Sequence, residues 1–409
     1  MYTMLQQQNY AMQDDLIAFT KKMIGIPSTS LNEENVANLV EQKMKQLGFD
    51  TVFTDEAGNV VGILAGRENK PVVLLNCHMD TVLPSNSEVW DTPPYKAVLK
   101  EDKLYGLGAA DCKGGLASQI FAAALLKRSL LPLEGTLVVA ATVAEENGLS
   151  VGVRHLMDKT LPNINLKPDY AILGEPSNLG LYYGHDGWVE IEVRVEGTNP
   201  FHVDDAAHEI MNDINLSVKS ANDKKLIEEI SIMQPLYDEY KGCRRATIRM
   251  ARRVRESENI EQVIGQIKHN AQLIAQPTGA VAVDVQVRQE QQVMYNGSMT
   301  LVRHITNAWS TDPFHPIMDR SRHALAAAGC TVRPGKWELD RLRMGTAGSV
   351  LLKEYNVPTI GYGPGCETVA HADNEYVEVD KLSECAYGTA VIVHSLIGVS
   401  VFGWTSDEI

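Results

Sequence analysis

Apolar positions near the start of the chain recur at helical spacing. Over residues 16–47 an apolar residue returns every three or four positions, and the pattern breaks at Pro27 and Ser28, which predicts two helices. Short strand-like segments follow: DTVFTD, NVVGILAG, PVVLLNCH, GTLVVAATVAEE and DYAILGE. Residues 114–126, rich in alanine and leucine, predict a helix packed closely on the sheet. The pattern therefore predicts an α/β fold in which helices sandwich a mixed sheet.

The pattern changes after Gly180. In order, it predicts a strand at residues 187–196, a helix at 204–220, strands near 226–232 and at 246–254, a helix at 260–275 and a strand at 280–289. Such a βαββαβ block has the size of a separate α+β domain. From about residue 300 the α/β pattern resumes. We therefore expect a discontinuous first domain, residues 1–180 and 291–409, with residues 181–290 inserted as a second domain.

Composition narrows the classes of partner. Hydrophobic residues make up 44% and charged residues 22% of the 409 residues, an ordinary globular mixture. With 37 basic and 52 acidic residues, the net charge of -15 disfavours nucleic acid and acidic membrane surfaces as partners. The sequence predicts neither a secretory signal nor a membrane-spanning stretch. Six cysteines without paired spacing are typical of reduced thiols, so we expect a cytoplasmic protein.

Five short segments place polar residues where a strand ends and a loop begins, the position at which open α/β sheets have their sites. In the first segment, NCHMDTVLP, His78 and Asp80 are two residues apart and face the same side of the chain. A histidine that binds a metal needs its second ring nitrogen held, and Asp80 is placed to hold it. Taken alone, the pair is more typical of a surface histidine or of a buried structural one.

The second and third segments add carboxylates. In GLGAADCKGG, the two oxygens of Asp111 can bridge two cations, although a helix N-cap role explains the residue equally well. Asp111 also stands where a dinucleotide-binding fingerprint needs its last glycine, so that motif fails. In ATVAEENG, Glu145 and Glu146 end an apolar strand, and two solvated glutamates are the simplest alternative. A dinuclear site needs one carboxylate as ligand and another as base, roles we assign to Glu146 and Glu145 respectively.

Glu175 in AILGEPS and His371 in GYGPGCETVAHADNEYV complete the set. One aspartate, two glutamates and two histidines suit zinc best, with cobalt or manganese as substitutes. Cys77 and Cys112 adjoin two of these residues, but neighbours on a strand point to opposite faces, which favours buried thiols over further ligands. Each segment alone has a structural explanation, whereas the five together favour a metal centre.

These strings, in this order and with a domain inserted between the fourth and fifth, resemble the family of acetylornithine deacetylase, succinyl-diaminopimelate desuccinylase and glutamate carboxypeptidase. The resemblance covers about residues 76–376. It implies a catalytic first domain, an inserted lid that forms a dimer, and two bound zinc ions. The implied ligands are His78, Asp111 and Glu175 for one zinc and Asp111, Glu146 and His371 for the other. The resemblance also implies that Asp80 orients His78 and that Glu145 is the general base.

The resemblance further implies two functional residues in the inserted domain. A family histidine reaches the active site of the partner subunit and stabilises the oxyanion; His202 in GTNPFH is the candidate, although one extra residue precedes it. A surface role for His202, or His208 in its place, is the alternative. A family arginine that binds the substrate carboxylate corresponds to Arg253 in MARRV, where Ala251 replaces the expected acid. The GTAGS segment, residues 345–349, lacks the acidic residue common in related enzymes.

The expected function is hydrolysis of a linear amide bond, in an N-acyl amino acid or short peptide with a free carboxylate, by a metal-dependent homodimer. An aminopeptidase or dipeptidase with the same metal centre is the alternative reaction. A non-catalytic binding protein on this scaffold is the alternative of another class, but it would not need Asp80 and Glu145 in addition to the ligands. The sequence identifies neither the acyl group nor the amino acid.

Overall fold

The computed structural model describes residues 2–85, 89–129, 131–147, 149–220, 231–232, 234–279, 281–337 and 345–399. Most of the strand expected near residues 226–232 lies outside these ranges. Within them, no helix combines the length and the apolar character needed to cross a membrane. All six cysteines are free thiols.

An eight-stranded mixed sheet forms the centre of the first domain. In spatial order its strands are Thr51–Thr54, Val60–Leu64, Thr136–Thr142, Val72–His78, Tyr170–Leu173, Thr359–Gly361, Leu181–Tyr182 and Pro334–Gly335. The four strands from Thr136–Thr142 to Thr359–Gly361 run parallel. Their carboxyl ends therefore meet at one edge of the sheet, where α/β proteins bind their ligands.

Helices cover both faces of this sheet, because its central strands are apolar on both sides. Leu75 belongs to one core and Leu74 to the other. The helices on the first face are Tyr2–Ile24, Glu34–Leu47, Gly114–Ser129, Pro316–Ala327 and Val379–Ile397. Those on the second face are Val151–His155, Leu156–Thr160, Leu161–Asn163 and Gly348–Lys353. The predicted α/β sandwich is confirmed, although its first helix begins much earlier than the apolar spacing indicated.

The close packing expected for the helix at residues 114–126 depends on glycine. A Cβ atom on Gly115 would lie 1.9 Å from the carbonyl oxygen of Gly174, at the end of a central strand. The helix therefore approaches the sheet backbone to a distance that only glycine permits. This contact fixes the start of the helix, and with it the turn Ala109–Lys113 that precedes it.

A second, smaller sheet builds the domain that we call the lid. Its main strands lie in the order Ser231–Ile232, Cys243–Val254, Gly187–Gly197 and Val281–Val287, with Leu236–Tyr240 and Ile305–Thr306 added at its sides. Helices Pro200–Ser220 and Ile260–Ala275 pack on one face. The strand Leu236–Tyr240 was not predicted. The sheets also divide the chain slightly differently from the expected 181–290, because Leu181–Tyr182 pairs in the central sheet and Ile305–Thr306 in the lid.

Three small sheets complete the described fold. Gln289–Val293 and Met299–Arg303 form a hairpin, and Gly184–His185 pairs with Trp309–Ser310. Val98–Lys100, Lys103–Tyr105 and Tyr376–Glu378 form a three-stranded sheet. The last of these sheets brings the segment after His371 beside the turn that carries Asp111.

Candidate metal centre

The candidate ligands meet where the parallel strands end. His78 is the last residue of its strand, and the glutamates and His371 follow the three neighbouring strands. Asp111 lies in the turn Ala109–Lys113, just ahead of the helix Gly114–Ser129. All of them line one cavity, with Leu149, Thr306 and Gly345 as its other lining residues. The structure thus brings together His78, Asp111, Glu145, Glu146, Glu175 and His371.

Asp111 connects two groups of potential ligands. One carboxylate oxygen lies 3.2 Å from Nε2 of His78, and the other lies 3.3 Å from Nε2 of His371. Glu175 lies 3.8 Å from the His78 nitrogen, and Glu146 lies 2.7 Å from the His371 nitrogen. The residues therefore form two clusters that share Asp111, and in each cluster the ligand atoms lie within 4.8 Å of one another.

The electrostatics of the cavity favour positive charge. Burial raises the pKa of Glu175 well above its ordinary value, because a buried carboxylate loses its hydration. Burial also disfavours the charged form of His371, but the negative charge of Glu146 and hydrogen bonds to the carboxylates outweigh it and raise the pKa to about 11. Bound metal ions would supply the positive charge that balances these buried carboxylates. Imidazole nitrogens and carboxylate oxygens are also a donor set that zinc accepts, so the residues fit a dinuclear centre.

Asp80 contacts His78 through both its backbone and its side chain. The shortest contact of Nδ1 of His78 is with the backbone carbonyl oxygen of Asp80, at 2.9 Å, whereas the carboxylate lies at 3.5 Å. Donation from Nδ1 to this carbonyl leaves the lone pair of Nε2 directed toward the cavity. The carboxylate also accepts the backbone N–H groups of Glu145 at 3.1 Å and Glu146 at 3.0 Å. Asp80 thus joins the first and third segments of the site.

Glu145 and Glu146 both line the cavity although they are adjacent. The chain bends just before them, where Ala144 has a φ of 52°, a left-handed conformation that is unusual for a residue other than glycine. Glu145 is only 9% exposed and accepts a hydrogen bond from the hydroxyl of Ser150 at 3.2 Å. Burial, reinforced by the charges of Glu146 and Asp80, raises the pKa of Glu145 to about 8 against the opposing effect of His78.

The structure excludes one of the two roles considered for Asp111 and shows what surrounds Cys112. Asp111 does not cap the helix, which begins at Gly114, because its side chain points into the cavity. Cys112 lies in a turn and not on a strand, and its buried sulfur lies within 4.8 Å of ligand atoms of His78, Asp111 and Glu175, although Cys112 is not among the described residues that line the cavity. Burial raises the pKa of this thiol well above its usual range. Cys77, in contrast, packs where the helix crosses the sheet, near Gly115.

The candidate histidine of the lid lies outside the cavity. His202 is in the first turn of the helix Pro200–Ser220, is exposed, and is absent from the described residues that line the cavity. Its competitor His208 is also exposed, and its Nδ1 lies 2.8 Å from the carbonyl oxygen of Asp204. Within one chain, neither histidine joins the metal ligands.

Arg253 lies closer to the cavity. Its side chain is 5% exposed, and its guanidinium carbon lies 5.6 Å from the ring centre of Trp188. Trp188 pairs in register with both Arg253 and Thr306, and Thr306 lines the cavity. Gly345, the first residue of the GTAGS segment, is another lining residue. Arg253 is therefore one residue removed from the wall of the site.

Sequence reasoning missed Glu375, which holds the turn that carries Asp111. Its buried carboxylate accepts the backbone N–H groups of Gly108 at 3.0 Å, Ala110 at 2.7 Å and Asp111 at 2.9 Å. The sequence offered one indication of this role: Glu375 lies four residues after His371, within the same segment GYGPGCETVAHADNEYV that was singled out for its histidine. Sequence reasoning also missed Ser30 and Glu33, whose side chains accept the backbone N–H groups of Asn147 and Ala144 respectively.

Comparison with known proteins agrees with this geometry. The chain matches Peptidase family M20/M25/M40 over residues 74–396. The uncharacterized protein YgeY of Escherichia coli (strain K12) is 26% identical over 394 residues, which cover 93% of this chain and 94% of that protein. Acetylornithine deacetylase of Vibrio campbellii is 34% identical over 208 residues, covering 50% of this chain and 53% of the enzyme.

A solved structure shares the whole fold. YxeP of Bacillus subtilis, described as a dinuclear metal-binding peptidase of the M20 family, is similar with a TM-score of 0.68 and 14% sequence identity. The similarity covers 95% of this chain and 99% of YxeP. The family match extends over most of the chain and includes all the candidate ligands. The predictions of family and of an enzyme are therefore confirmed: the chain belongs to Peptidase family M20/M25/M40 and is a metal-dependent hydrolase of amide bonds.

Proposed function

We propose that the protein uses two zinc ions to hydrolyse the amide bond of an N-acyl amino acid that carries a free carboxylate. The observation that carries this proposal is the position of Asp111, whose two oxygens face two different histidines at 3.2 and 3.3 Å. One carboxylate placed in this way is suited to bridge two cations.

Each ion has a set of residues that would hold it. His78, Asp111 and Glu175 would bind the first, and Asp111, Glu146 and His371 the second. When bound, the pair supplies Lewis acidity that polarises the amide carbonyl and lowers the pKa of a water molecule. Cobalt or manganese would serve as substitutes, since both accept the same nitrogen and oxygen donors.

Glu145 is the proposed general base. Its carboxylate lines the cavity beside the ligands and belongs to neither cluster of ligand atoms, so it is available for proton transfer. The carboxylate accepts the proton of the attacking water and returns it to the leaving amine. His202 of a second subunit would stabilise the oxyanion that develops on the carbonyl. This role requires a homodimer formed through the lid.

Glu145→Gln tests this assignment. The variant should keep both metal ions and lose roughly a thousandfold in kcat, because general base catalysis contributes about 10² to 10⁴ in rate. Glu146→Gln is the matched comparison, since it alters a ligand and should lower the metal content as well. Removal of the metals with a chelator should abolish activity, and zinc should restore it. A chelated enzyme that stays fully active, or a Glu145→Gln variant with normal turnover, would disprove the proposal.

Arg253 is the proposed contact for the substrate carboxylate, since a guanidinium pairs with a carboxylate through two parallel hydrogen bonds. Its position beside Trp188, which separates it from the cavity-lining Thr306, supports this role. Arg253→Ala should lower kcat/KM at least tenfold for an acyl amino acid, but little for the corresponding amide, which has no charge to bind. Arg249→Ala, on the same strand and paired with Glu192, is the control. An equal loss for both substrates would contradict the assignment.

Dipeptide hydrolysis is the second candidate, favoured by the similarity to YxeP, which is described as a peptidase. A screen of acetylated, succinylated and formylated amino acids, dipeptides and aminoacyl anilides separates the candidates. Turnover of acyl amino acids supports the first, whereas turnover limited to substrates with a free amine supports a dipeptidase or aminopeptidase.

The six free cysteines fit our expectation that the protein acts in the reducing cytoplasm.

A further inference from the structure

The loop that carries Glu145 and Glu146 is held by an unusual series of contacts. Its four consecutive backbone N–H groups, at residues 144–147, all donate to side chains from other parts of the chain. Their acceptors are, in order, Glu33 Oε1 at 2.9 Å, Asp80 Oδ1 at 3.1 Å, Asp80 Oδ2 at 3.0 Å and Ser30 Oγ at 3.1 Å. No two of these N–H groups share an acceptor atom, so each hydrogen bond fixes a different point of the loop.

The hydroxyl of Ser30 connects two of these contacts. It donates to Oδ2 of Asp80 at 2.6 Å while it accepts the N–H of Asn147. The hydrogen bond to a carboxylate is charge-assisted and therefore among the stronger kinds in proteins. Ser30 thus holds Asp80 in place and binds the loop directly at its far end.

The segment that contains Ser30 and Glu33 is itself attached to the strand end that carries His78. The hydroxyl of Ser28 donates to the carbonyl oxygen of Met79 at 2.8 Å, and Thr29 pairs with Thr81 in an isolated bridge. Residues 28–33 lie between the two opening helices, far from the catalytic segments in sequence. Because they contact both Met79–Thr81 and residues 144–147, they fix the distance between two parts of the metal centre.

The loop needs such support for two reasons. Ala144 has a left-handed backbone conformation, which costs free energy and persists only when the surroundings enforce it. The loop also places the carboxylates of Glu145 and Glu146 side by side in a buried cavity, where like charges repel. Glu33 is fully buried, and its Oε1 accepts the N–H of Ala144, the residue with the unusual conformation.

We propose that Ser30 and Glu33 are positioning residues for amide hydrolysis. They act through the backbone of residues 144–147 and set where the carboxylate of Glu145 lies, without touching the substrate. The inference rests on the proposed function only in that Glu145 is taken as the base. Misplacement of a catalytic group by about 1 Å can cost on the order of 100-fold in rate, so a loosened loop lowers kcat more than substrate binding.

Ser30→Ala in the zinc-loaded enzyme tests the role of the hydroxyl. We expect kcat to fall about tenfold, the effect of one charge-assisted hydrogen bond, with KM changed less than about twofold. Hydrogen exchange of the peptide that contains residues 144–147 should accelerate about tenfold, because these amides lose local protection. Metal content should stay at two ions. Ser30→Thr, which keeps a hydroxyl, should restore both kcat and protection.

Thr311→Val is the matched control. Like the hydroxyl of Ser30, that of Thr311 both donates and accepts: it donates to the carbonyl oxygen of Thr359 and accepts the N–H of the same residue, at the opposite end of the parallel strands. Its loss should leave kcat and the exchange of residues 144–147 unchanged.

The two substitutions of Glu33 give a second comparison. Glu33→Gln keeps an acceptor oxygen for the N–H of Ala144 and should retain most activity, whereas Glu33→Ala should lower kcat and expose the loop to exchange.

The positioning role is wrong if Ser30→Ala leaves kcat unchanged, or if exchange rises as much throughout the chain as in this loop. Exchange is measured without turnover, so its outcome is distinguishable from failure of the base assignment, which would appear as full activity of Glu145→Gln.

Discussion

The carboxylate of Glu375 accepts the backbone N–H of Asp111 at 2.9 Å, which joins the segment after His371 to the turn that carries the shared ligand. Two further N–H groups, from Gly108 and Ala110, donate to the same carboxylate. Burial raises the pKa of Glu375 to about 8, although the three hydrogen bonds oppose the rise. These bonds fix the backbone on both sides of the side chain that we expect to bridge two ions.

Glu375→Ala should therefore weaken the binding of both metal ions, since both depend on Asp111. Loss of a residue that supports a ligand typically costs about 10-fold to 100-fold in metal affinity. Glu375→Gln retains an acceptor oxygen and should lose less. Competition with a chromophoric chelator measures the affinities, and Glu378→Ala, which removes a side chain paired with Lys381, is the control. Unchanged affinity in the alanine variant would show that the turn holds its shape without Glu375.

Ligand substitutions should separate the two metal sites. His78→Ala removes a residue of the first cluster only, and His371→Ala one of the second only. Each variant should retain about one zinc per chain after dialysis, and each should lose nearly all activity, because a dinuclear mechanism needs both ions. Asp111→Ala should retain neither ion, since it belongs to both clusters. Native mass spectrometry measures the stoichiometry; two tightly bound ions in all three variants would contradict the assigned ligand sets.

Hydrophobic periodicity made the fold predictable, and the position of polar residues at strand ends and turns made the candidate site predictable. The helix expected at residues 260–275 is Ile260–Ala275 in the structure, because its apolar face repeats regularly. The first helix extends back to Tyr2 because scattered residues such as Leu5 and Met12 are buried among polar neighbours, a pattern too sparse to be recognised. Four of the five candidate ligands were noticed because they end or follow a strand of the central sheet, and Asp111 because it lies in a glycine-rich turn ahead of a helix.

The supporting contacts were not predictable in the same way. Ser30 and Glu375 accept backbone N–H groups from loops that are distant in sequence, and such hydrogen bonds leave no periodic signal. Cys112 lies in a turn, to which the strand rule does not apply, although the expected buried thiol is observed. Local spacing identifies residues that share an element, whereas long-range hydrogen bonds depend on how the elements pack.

His185 should make the protein less stable in acid. Its Nδ1 lies 2.6 Å from the carbonyl oxygen of Asp186, and its Nε2 accepts the N–H of Thr346 at 3.0 Å. Burial, with a contribution from the charge of Arg253, lowers its pKa from the ordinary 6.5 to about 4. Between these values the unfolded chain binds more protons than the folded one, so stability present above pH 6.5 is lost as the pH falls toward 4.

The comparison of wild type with His185→Gln isolates this effect from that of other groups. From pH 7 to pH 5 the wild type should lose about 2 kcal/mol more of its free energy of unfolding than the variant. Urea unfolding followed by tryptophan fluorescence is suitable, because Trp309 and Trp337 pack beside the imidazole. The same pH dependence in both proteins would show that His185 is not neutral in the folded state.

His202 is exposed in one chain, so its proposed role requires a second subunit. Alone, His202→Asn and Glu145→Gln should each be nearly inactive, since loss of one oxyanion donor costs about 10² to 10³ in kcat. A mixed dimer of the two variants has one site with an intact Glu145 and an intact His202 from the partner. Co-expression should therefore restore about a quarter of wild-type activity, because half the dimers are mixed and each has one complete site. Mixing Glu145→Gln with Glu146→Gln is the control, since neither site is complete in that dimer. Mixed dimers that stay inactive, or a monomer that is fully active, would rule out a role for His202 across the interface.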